Sequence, residues 1–502
     1  MATFHSLPPE LLLPILTPLP ESSLVLCASV NRNWNAFATP LLYRRVAVYS
    51  WHCNAKTRAA SLMRTLAERS EVARWVKHID VRDFYRDFEF HLAQEEDRDA
   101  VFEHCEQGLA NCVNLESCIW PRHRTLTTQM LVVLASLPRL QRLEINAHSG
   151  TYEPADLIRV RQIRALGLTM PDKAAVDVLL RWFMAICVER VEEEQETEIG
   201  LRELKIICQS TNYVGCKQLT TLAPYLTQLE SFHLLGCPKA DHIGVDTVIR
   251  GCSSRLEDLS LESISPNFDL KELATGLALP RLKSLTLTLP APPSPHLKFL
   301  DAILELTADS PLVALTLSLP ATLSPLSTSL VLYSPTAAAQ NTAPKAPSYP
   351  EFSSSFARSL ATKHAQTLRK VAIARLPTPL GAVEILATYC PKLEVLIVPV
   401  HEFDWPRLGE AISAASLPFL RTLHLSYPTS PRIRAFTKHE LMPLSGLREL
   451  AETCSCTLEQ IGQLSKVYEV VRRWDRETDT TPVVLERWTG PIFPEAFQVI
   501  RA

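Results

Sequence analysis

Cysteine and histidine are the residues of this sequence best suited to metal binding or nucleophilic chemistry, and their spacing is irregular. The closest approach to a ligand pair is Cys454-Ser-Cys456, which is too tight for a CxxC zinc knuckle. His104 with Cys105, and Cys112 with Cys118, match no metal-site spacing. Phosphate-loop, zinc-protease and nucleophile-elbow motifs are absent from the sequence. We therefore expect no enzyme, no metal and no cofactor, although a triad assembled from distant segments stays open.

Charge and hydropathy exclude two further classes of partner. The formal net charge of -3 argues against a nucleic-acid-binding protein, which usually has a strong basic bias. No apolar run approaches the roughly 20 residues that span a bilayer. The apolar run at 11–16 lacks a basic leader and contains Pro14, so a signal peptide is not expected. The cysteine set and the lack of a glycosylation acceptor favour the reduced cytoplasm or nucleus.

A short apolar motif, Lxx[LIVF]x[LI], returns about twelve times beyond residue 70. Clear copies begin at Leu201, Leu229, Leu256 and Leu282, which lie 28, 27 and 26 residues apart. A period of 20–29 residues with this motif indicates leucine-rich repeats. The alternation that ends each copy predicts a short strand, and the stretches between copies predict helices. Residues of about 320–350 interrupt the period with a Pro-, Ser-, Thr- and Ala-rich insertion, which we expect to be a loop.

The repeats predict an α/β solenoid with parallel strands on the concave face and helices outside. Polar side chains between the leucines would then face a partner, although most such charges are merely solvated. Cys112, Cys252 and Cys390 fall between helix and strand, where we expect small buried side chains. The candidates for binding a target protein are Arg202, Lys205, Lys283, Arg369, Lys370, Arg421 and His424.

The N-terminal segment predicts three short helices. Pro8, Pro9 and Glu10 suit a first turn, and Leu11, Leu12, Ile15 and Leu16 follow at helical spacing. A second helix begins near Glu21 or Ser22, and a third covers residues 33–37 before Pro40 ends it. Three helices bury little surface, so the segment either caps the repeats or presents an apolar face to a partner.

The same segment resembles the F-box in Leu7-Pro8-Pro9-Glu10-Leu11-Leu12, in Val30-Asn31-Arg32-Asn33-Trp34 and in the closing Leu41-Leu42-Tyr43. The resemblance implies docking onto a Skp-type adaptor that links to a cullin–RING ubiquitin ligase. Pro14 departs from the pattern and puts the docking angle in question. By this resemblance the adaptor would contact Leu7, Pro8, Glu10, Leu11, Ile15 and Leu16. The module and its edge would be completed by Leu24, Cys27, Val30 and Trp34.

These observations give an F-box-like module at 1–50, a helical connector at 51–75, a leucine-rich-repeat solenoid at 76–450 and a C-terminal cap at 451–502. The expected function is substrate recognition in a Skp–cullin–F-box ubiquitin ligase, with the repeats binding a target protein whose identity the sequence does not reveal. The alternative is a leucine-rich-repeat interaction scaffold without a ligase role, whose N-terminal helices cap the array.

Overall fold

The computed structural model divides the chain into two compact units, which are described separately. They comprise Met1–Val214 with Thr221–Leu229, and Gly215–Thr220 with Glu230–Ala502. Within the described part of the chain, no helix is both long and apolar enough to cross a membrane. The described residues are 8–85, 98–188, 200–208, 212–290, 296–320, 351–400, 404–426, 442–464, 466–474 and 481–488.

Three helices open the first unit: α1 (Pro9–Leu16), α2 (Glu21–Val30) and α3 (Arg32–Arg44). Helix α1 continues through Pro14. The prediction that Pro40 ends the third helix is wrong, because α3 runs four residues further. Pro40 removes the donor for the carbonyl of Ala36, but Ala36 is exposed, so water can supply the missing hydrogen bond.

The rest of the first unit alternates strands with helices, and each strand pairs in parallel with the next. The strands are β1 (Arg45–Val48), β2 (His78–Val81), β3 (Ser117–Trp120), β4 (Arg142–Asn146), β5 (Ala165–Thr169) and β6 (Glu203–Ile207). The helices are α4 (Ala55–Glu68), α5 (Ser70–Ala73), α6 (Arg98–Asn111), α7 (Thr128–Ser136) and α8 (Lys173–Val188).

The second unit repeats this alternation and then reverses direction. Its parallel strands are β7 (Ser231–Leu235), β8 (Asp258–Glu262), β9 (Ser284–Thr288), β10 (Ala314–Ser318), β11 (Lys370–Ala374), β12 (Val395–Pro399), β13 (Thr422–Ser426) and β14 (Gln460–Gln463). Two antiparallel strands follow, β15 (Lys466–Arg472) and β16 (Val483–Arg487). The helices are α9 (Cys216–Leu222), α10 (His242–Cys252), α11 (Leu270–Ala274), α12 (His296–Leu306), α13 (Ser354–His364), α14 (Leu380–Tyr389), α15 (Trp405–Ala411) and α16 (Leu444–Thr453).

Each copy of the leucine motif forms one strand and the turn before it. Leu256, Leu259 and Leu261 are all buried, and the polar residues between them lie on the other side of β8. A fully buried leucine side chain contributes roughly 1.5–3 kcal/mol, so the three apolar positions of each repeat are a large part of the core between sheet and helices. The prediction of a three-helix module followed by a leucine-rich-repeat-type solenoid is confirmed.

The parallel sheet extends beyond the limits that the motif indicated. In the first unit it begins at β1, which directly follows α3, and in the second unit it includes β14 after residue 450. Among the expected cap residues, Trp474 is exposed just after β15, while Phe493 lies outside the described residues. Of the expected insertion at about 320–350, residues 321–350 also lie outside them.

The close packing of α4 against α6 depends on Gly108. A Cβ atom at this position would lie 2.8 Å from the carbonyl oxygen of Met63, a backbone atom that cannot move aside alone. Gly409 in α15 differs, because its nearest neighbour would be Leu450 Cδ1 at 3.6 Å, an ordinary contact. The packing therefore requires glycine at position 108 but leaves room for a larger residue at position 409.

We predict that Gly108→Ala lowers the free energy of unfolding by about 1–3 kcal/mol through overpacking, despite its better helix propensity. Gly409→Ala, the matched control, should raise it by up to about 1 kcal/mol because alanine favours the helix. Thermal unfolding of both variants measures the contrast. Equal melting temperatures for the two variants would show that α4 and α6 do not pack this closely.

Candidate protein-binding surfaces

The N-terminal helices have a small hydrophobic core of their own. Leu12, Leu16, Leu24 and Ala38 are buried at its centre. Half-buried residues of α2, of α3 and of the turn after α1 surround this core, and a packed core fixes the helices relative to one another. These surrounding residues are Leu19, Cys27, Ala28, Trp34, Phe37, Leu41 and Leu42.

Outside this core, α1 and α2 each expose large apolar side chains. Leu11 and Ile15 lie one turn apart on α1, with 47% and 42% of their surface exposed. Leu26 and Val30 lie one turn apart on α2, with 69% and 60% exposed. We call these residues, together with the exposed Leu13 and Val25, the apolar helix face. Contiguous exposed apolar surface is typical of interaction sites, so these residues are candidates for contact with another protein.

The structure separates the predicted adaptor-binding residues into surface and core. Pro8, Glu10, Leu11, Ile15 and Val30 are exposed. Leu16 is buried, so its assignment as a contact residue is corrected, and it supports the surface from beneath. Leu24 is also buried, within the module that it was expected to complete. Cys27 and Trp34 pack against that core, and Leu7 lies outside the described residues.

Sequence analysis missed three members of the apolar helix face, namely Leu13, Val25 and Leu26. The spacing of Leu26 and Val30 could have identified one of them, because residues four apart lie on the same helix face. The burial of Leu24 could not be read from spacing alone, since α2 is apolar on several sides.

Hydrogen bonds at the junction of α2 and α3 hold the apolar helix face in place. Asn31 caps α3 by accepting a hydrogen bond from the Trp34 backbone N–H at 2.9 Å. The side chain of Asn35 donates to the carbonyl of Ala28 at 2.8 Å. Helix α3 then leads straight into β1, and the Lys77 N–H donates to the Arg44 carbonyl at 2.9 Å. The module is therefore fixed to the first strands.

A second candidate surface is the row of residues that directly precede the strands, which we call the pre-strand row. Backbone N–H groups of this row donate to the carbonyl of the equivalent residue one repeat earlier, as Lys283 does to Glu257 at 2.8 Å. Side chains at neighbouring positions therefore lie close together. The row contains Lys77, Glu116, Gln141, Arg164 and Arg202 in the first unit, and Glu230, Glu257, Lys283, Val313, Arg369, Glu394, Arg421 and Glu459 in the second.

Three predicted target-binding residues of this row form ion pairs between repeats. Lys283 Nζ lies 2.7 Å from Glu257, which also pairs with Arg281 at 2.8 Å. The hydrogen bond from Lys283 is the main reason that the pKa of the Glu257 carboxyl lies below its usual range. Arg369 pairs with Glu394, and Arg421 lies 3.9 Å from Glu459. These arginines remain more than half exposed, so they can still contact a partner.

Lys205 is also paired, across an intervening strand. Its ammonium lies 3.4 Å from Glu144, although β5 separates β6 from β4. Gly167 of β5 stands in register between them, and a Cβ there would lie 2.7 Å from Glu144 Cγ. A glycine at this position thus allows the pair to form above the sheet. Arg202 and Lys370 keep their predicted positions at the starts of β6 and β11.

His424 is not on an exposed surface, which corrects its assignment. Only 3% of the residue is exposed, and its Nε2 lies 2.9 Å from the Leu464 carbonyl. The ring occupies space left by Gly462, the residue in register on β14, where a Cβ would lie 2.2 Å from Nδ1. Burial lowers the pKa of His424, so the neutral ring is favoured.

Ser231, His233 and Asp258 bring the residue types of a nucleophilic triad together on β7 and β8. His233 Nε2 lies 3.1 Å from Ser231 Oγ and 2.8 Å from Asp258 Oδ2. A triad needs the serine on one ring nitrogen and the carboxylate on the other, so that a proton can pass to the ring. Because a single nitrogen faces both groups here, this arrangement does not activate the serine.

The cysteines between helix and strand are structural. Burial raises the pKa of Cys112 and of Cys252 to about 12, and that of Cys390 to about 11, so all three are thiols. The Cys112 thiol lies 3.2 Å from the carbonyl of Gly108 in the preceding helix, α6. Among the residues that the structure describes, no group of three or more His, Cys, Asp or Glu could hold a metal ion.

The division of α1 and α2 into core and surface makes a direct prediction. Leu16→Ala should lower the stability of the module by about 2–5 kcal/mol, because it leaves a cavity at the centre of the three helices. Leu26→Ala should change it by no more than about 0.5 kcal/mol, because the side chain is exposed. Amide hydrogen exchange in α3 of the full chain reports both effects. Faster exchange in the Leu26 variant than in the Leu16 variant would reverse the assignment.

The comparisons with known proteins agree with the architecture at the N-terminus. A family model described as F-box-like matches residues 4–48. A solved leucine-rich-repeat protein of Leptospira interrogans shares 13% identity, with 69% of this chain and 91% of that chain covered, at a TM-score of 0.23. No curated protein matches. The repeat assignment therefore rests on the period of the motif and on the strand register in this chain. The chain thus has an F-box-like module followed by a leucine-rich-repeat-type solenoid.

Proposed function

We propose that this chain is the substrate-recognition subunit of a Skp–cullin–F-box ubiquitin ligase. The apolar helix face would bind a Skp-type adaptor, and the repeats would bind the target protein, without catalysis by the chain itself. The observation that carries the proposal is the exposure of Leu11, Ile15, Leu26 and Val30 on helices that already have a complete core. The F-box-like match at residues 4–48 supports a Skp-type adaptor as the partner.

The rival function, a scaffold whose helices only cap the repeats, fits this surface less well. A cap turns its apolar side chains onto the first repeat and exposes polar ones. In this module Leu12 and Leu16 point into the three-helix core, while the neighbouring Leu11 and Ile15 remain exposed. Burying such side chains contributes roughly 25 cal/mol per Å² of apolar surface, which favours a protein partner.

The target-binding role rests on cations of the second unit. Arg369, Lys370 and Arg421 lie at the starts of β11 and β13, which β12 separates. Arg369 and Arg421 pair with Glu394 and Glu459 on the solvent side, where ion pairs contribute about 1 kcal/mol or less. A partner carboxylate can therefore replace an internal one at little cost. A reduced compartment, the cytoplasm or nucleus, suits both the free thiols and this role.

Replacing Leu11 and Ile15 by aspartate tests the adaptor surface. We expect Leu11→Asp with Ile15→Asp to abolish capture of a purified Skp-type adaptor, because docking would desolvate two charges at a cost of several kcal/mol. Ile243→Asp is the matched control, since Ile243 is an equally exposed apolar residue, on α10. Adaptor capture by the double variant at the wild-type level would refute the proposed function.

Charge reversal tests the target surface separately. Arg369→Glu, Lys370→Glu and Arg421→Glu together should deplete the proteins that co-purify with the chain, other than the adaptor, because like charges would then face Glu394 and Glu459. The control reverses Arg358 of α13 and Lys392, both exposed outside the pre-strand row. An unchanged target set in the triple variant would contradict the role of these residues, and loss of the thermal transition would make them structural.

A further inference from the structure

A cluster of arginine and histidine side chains lies at the carboxyl ends of β3 and β4 in the first unit. Arg122, His123 and Arg124 follow β3, and His148 follows β4. Because the two strands are parallel neighbours, both segments emerge at the same edge of the sheet. The rings of His123 and His148 meet edge to face, with centroids 4.7 Å apart. None of these four residues belongs to the pre-strand row or the apolar helix face.

The segment after β3 is held rigidly by buried groups. Trp120 donates its Nε1–H to Thr125 Oγ1 at 2.8 Å, and Thr125 in turn donates to the Arg122 carbonyl at 2.9 Å. Asn146 Nδ2 donates to the Pro121 carbonyl at 3.2 Å. Asp83 holds the Arg122 guanidinium at 3.2 Å. The backbone of the segment and the Arg122 guanidinium are thus positioned before any ligand arrives, which lowers the entropy cost of binding.

Gly150 leaves a space between two of the donors. A Cβ built on Gly150 would lie 3.4 Å from Arg124 Nε and 3.5 Å from His148 Nδ1. Two nitrogens therefore converge on one position that no side chain occupies. Larger residues than glycine would fill this position, whereas an atom of a ligand there would lie within reach of both groups.

Two nitrogens of the cluster lack the partners that buried polar atoms usually have. Arg122 Nε and His148 Nδ1 are buried without a hydrogen-bond partner in the described part of the chain. Buried polar atoms are satisfied in most proteins, so an unsatisfied pair in one cluster calls for a physical reason. Asp172 lies 3.9 Å from His148 Nδ1, beyond hydrogen-bonding distance, and it already accepts from Ser149 and Ala175.

We propose that Arg124 and His148, which approach one open position at Gly150, form a binding site for a phosphate monoester, with Arg122 as a third cation of the same segment. Donors that approach one position from different sides suit a tetrahedral anion with three acceptor oxygens better than a carboxylate with two. Arginine binds phosphate through planar, charge-assisted hydrogen bonds. The ligand that we infer is a phosphorylated side chain of the target protein, and this part of the inference rests on the proposed function.

Amide hydrogen exchange of the full-length chain with inorganic phosphate tests the site. Phosphate should slow exchange in segments 121–125 and 147–152 relative to chloride at equal ionic strength. Arg124→Gln should remove this effect by deleting a donor, and Gly150→Val should remove it by filling the space with the charges intact. Arg281→Gln, which deletes an exposed arginine of the second unit, is the matched control and should respond like wild type.

A second measurement identifies the source of the phosphate. A degenerate phosphoserine peptide library should bind the full-length chain about tenfold more tightly than the same library with serine, equivalent to about 1.4 kcal/mol. Arg124→Gln should abolish this preference. If inorganic phosphate slows exchange but the phosphoserine and serine libraries bind equally, the site is retained and its ligand is a free phosphate compound.

Three results would overturn the site: no slowing by phosphate, equal slowing by chloride, or slowing that persists in both Arg124→Gln and Gly150→Val. A third library carries glutamate in place of phosphoserine. If it binds as tightly as the phosphoserine library, the choice of phosphate over carboxylate is overturned. Adaptor capture is measured on the same preparations. Retained capture with no phosphate effect would refute this site alone, and lost capture would refute the ligase role alone.

Discussion

The structure depends on one backbone interaction repeated along each unit. The residue before a strand donates its N–H to the carbonyl of the equivalent residue one repeat earlier, as Glu394 does to Arg369 at 2.7 Å. This bond sets the register of the parallel strands that follow it. Once the register is set, motif leucines stack on motif leucines in the core, and polar positions align into rows on the other side. The ion pairs of the pre-strand row and the packing of His424 over Gly462 are consequences of that alignment.

Repetition creates a problem at the ends, because the outermost repeat would expose core and unpaired backbone. In the first unit, β1 begins the sheet, and α3 packs against it. In the second unit, the chain reverses after β14, and β15 and β16 continue the sheet antiparallel. The reversal breaks the repeat pattern, so a further copy of the motif cannot stack there in the same register.

The sequence predicted the repeats well because their signal is periodic and their core is made by local residues. The strands β1 and β14 were not predicted, for two reasons. No leucine precedes β1 (Arg45–Val48) at the first motif position, and the motif of β14, at Leu458 and Ile461, ends in Gln463 instead of an apolar residue. The candidate surfaces were harder to predict. Whether Leu16 or Leu26 faces the solvent depends on how three helices pack, and the burial of His424 depends on a glycine 38 positions away on the next strand. Such facts come from cross-strand and cross-helix geometry, which periodicity does not contain.

The direct passage from α3 into β1, with Arg44 ending the helix and Arg45 beginning the strand, leaves no linker between the F-box-like module and the first repeats. Within the first unit, the module and these repeats therefore move together. In a ligase of the proposed kind, a flexible linker at this junction would let many lysines of a protein bound to the first repeats reach the transfer centre. A rigid junction instead restricts the positions of such a protein, so the position of a lysine, more than its chemical surroundings, would decide whether it is modified.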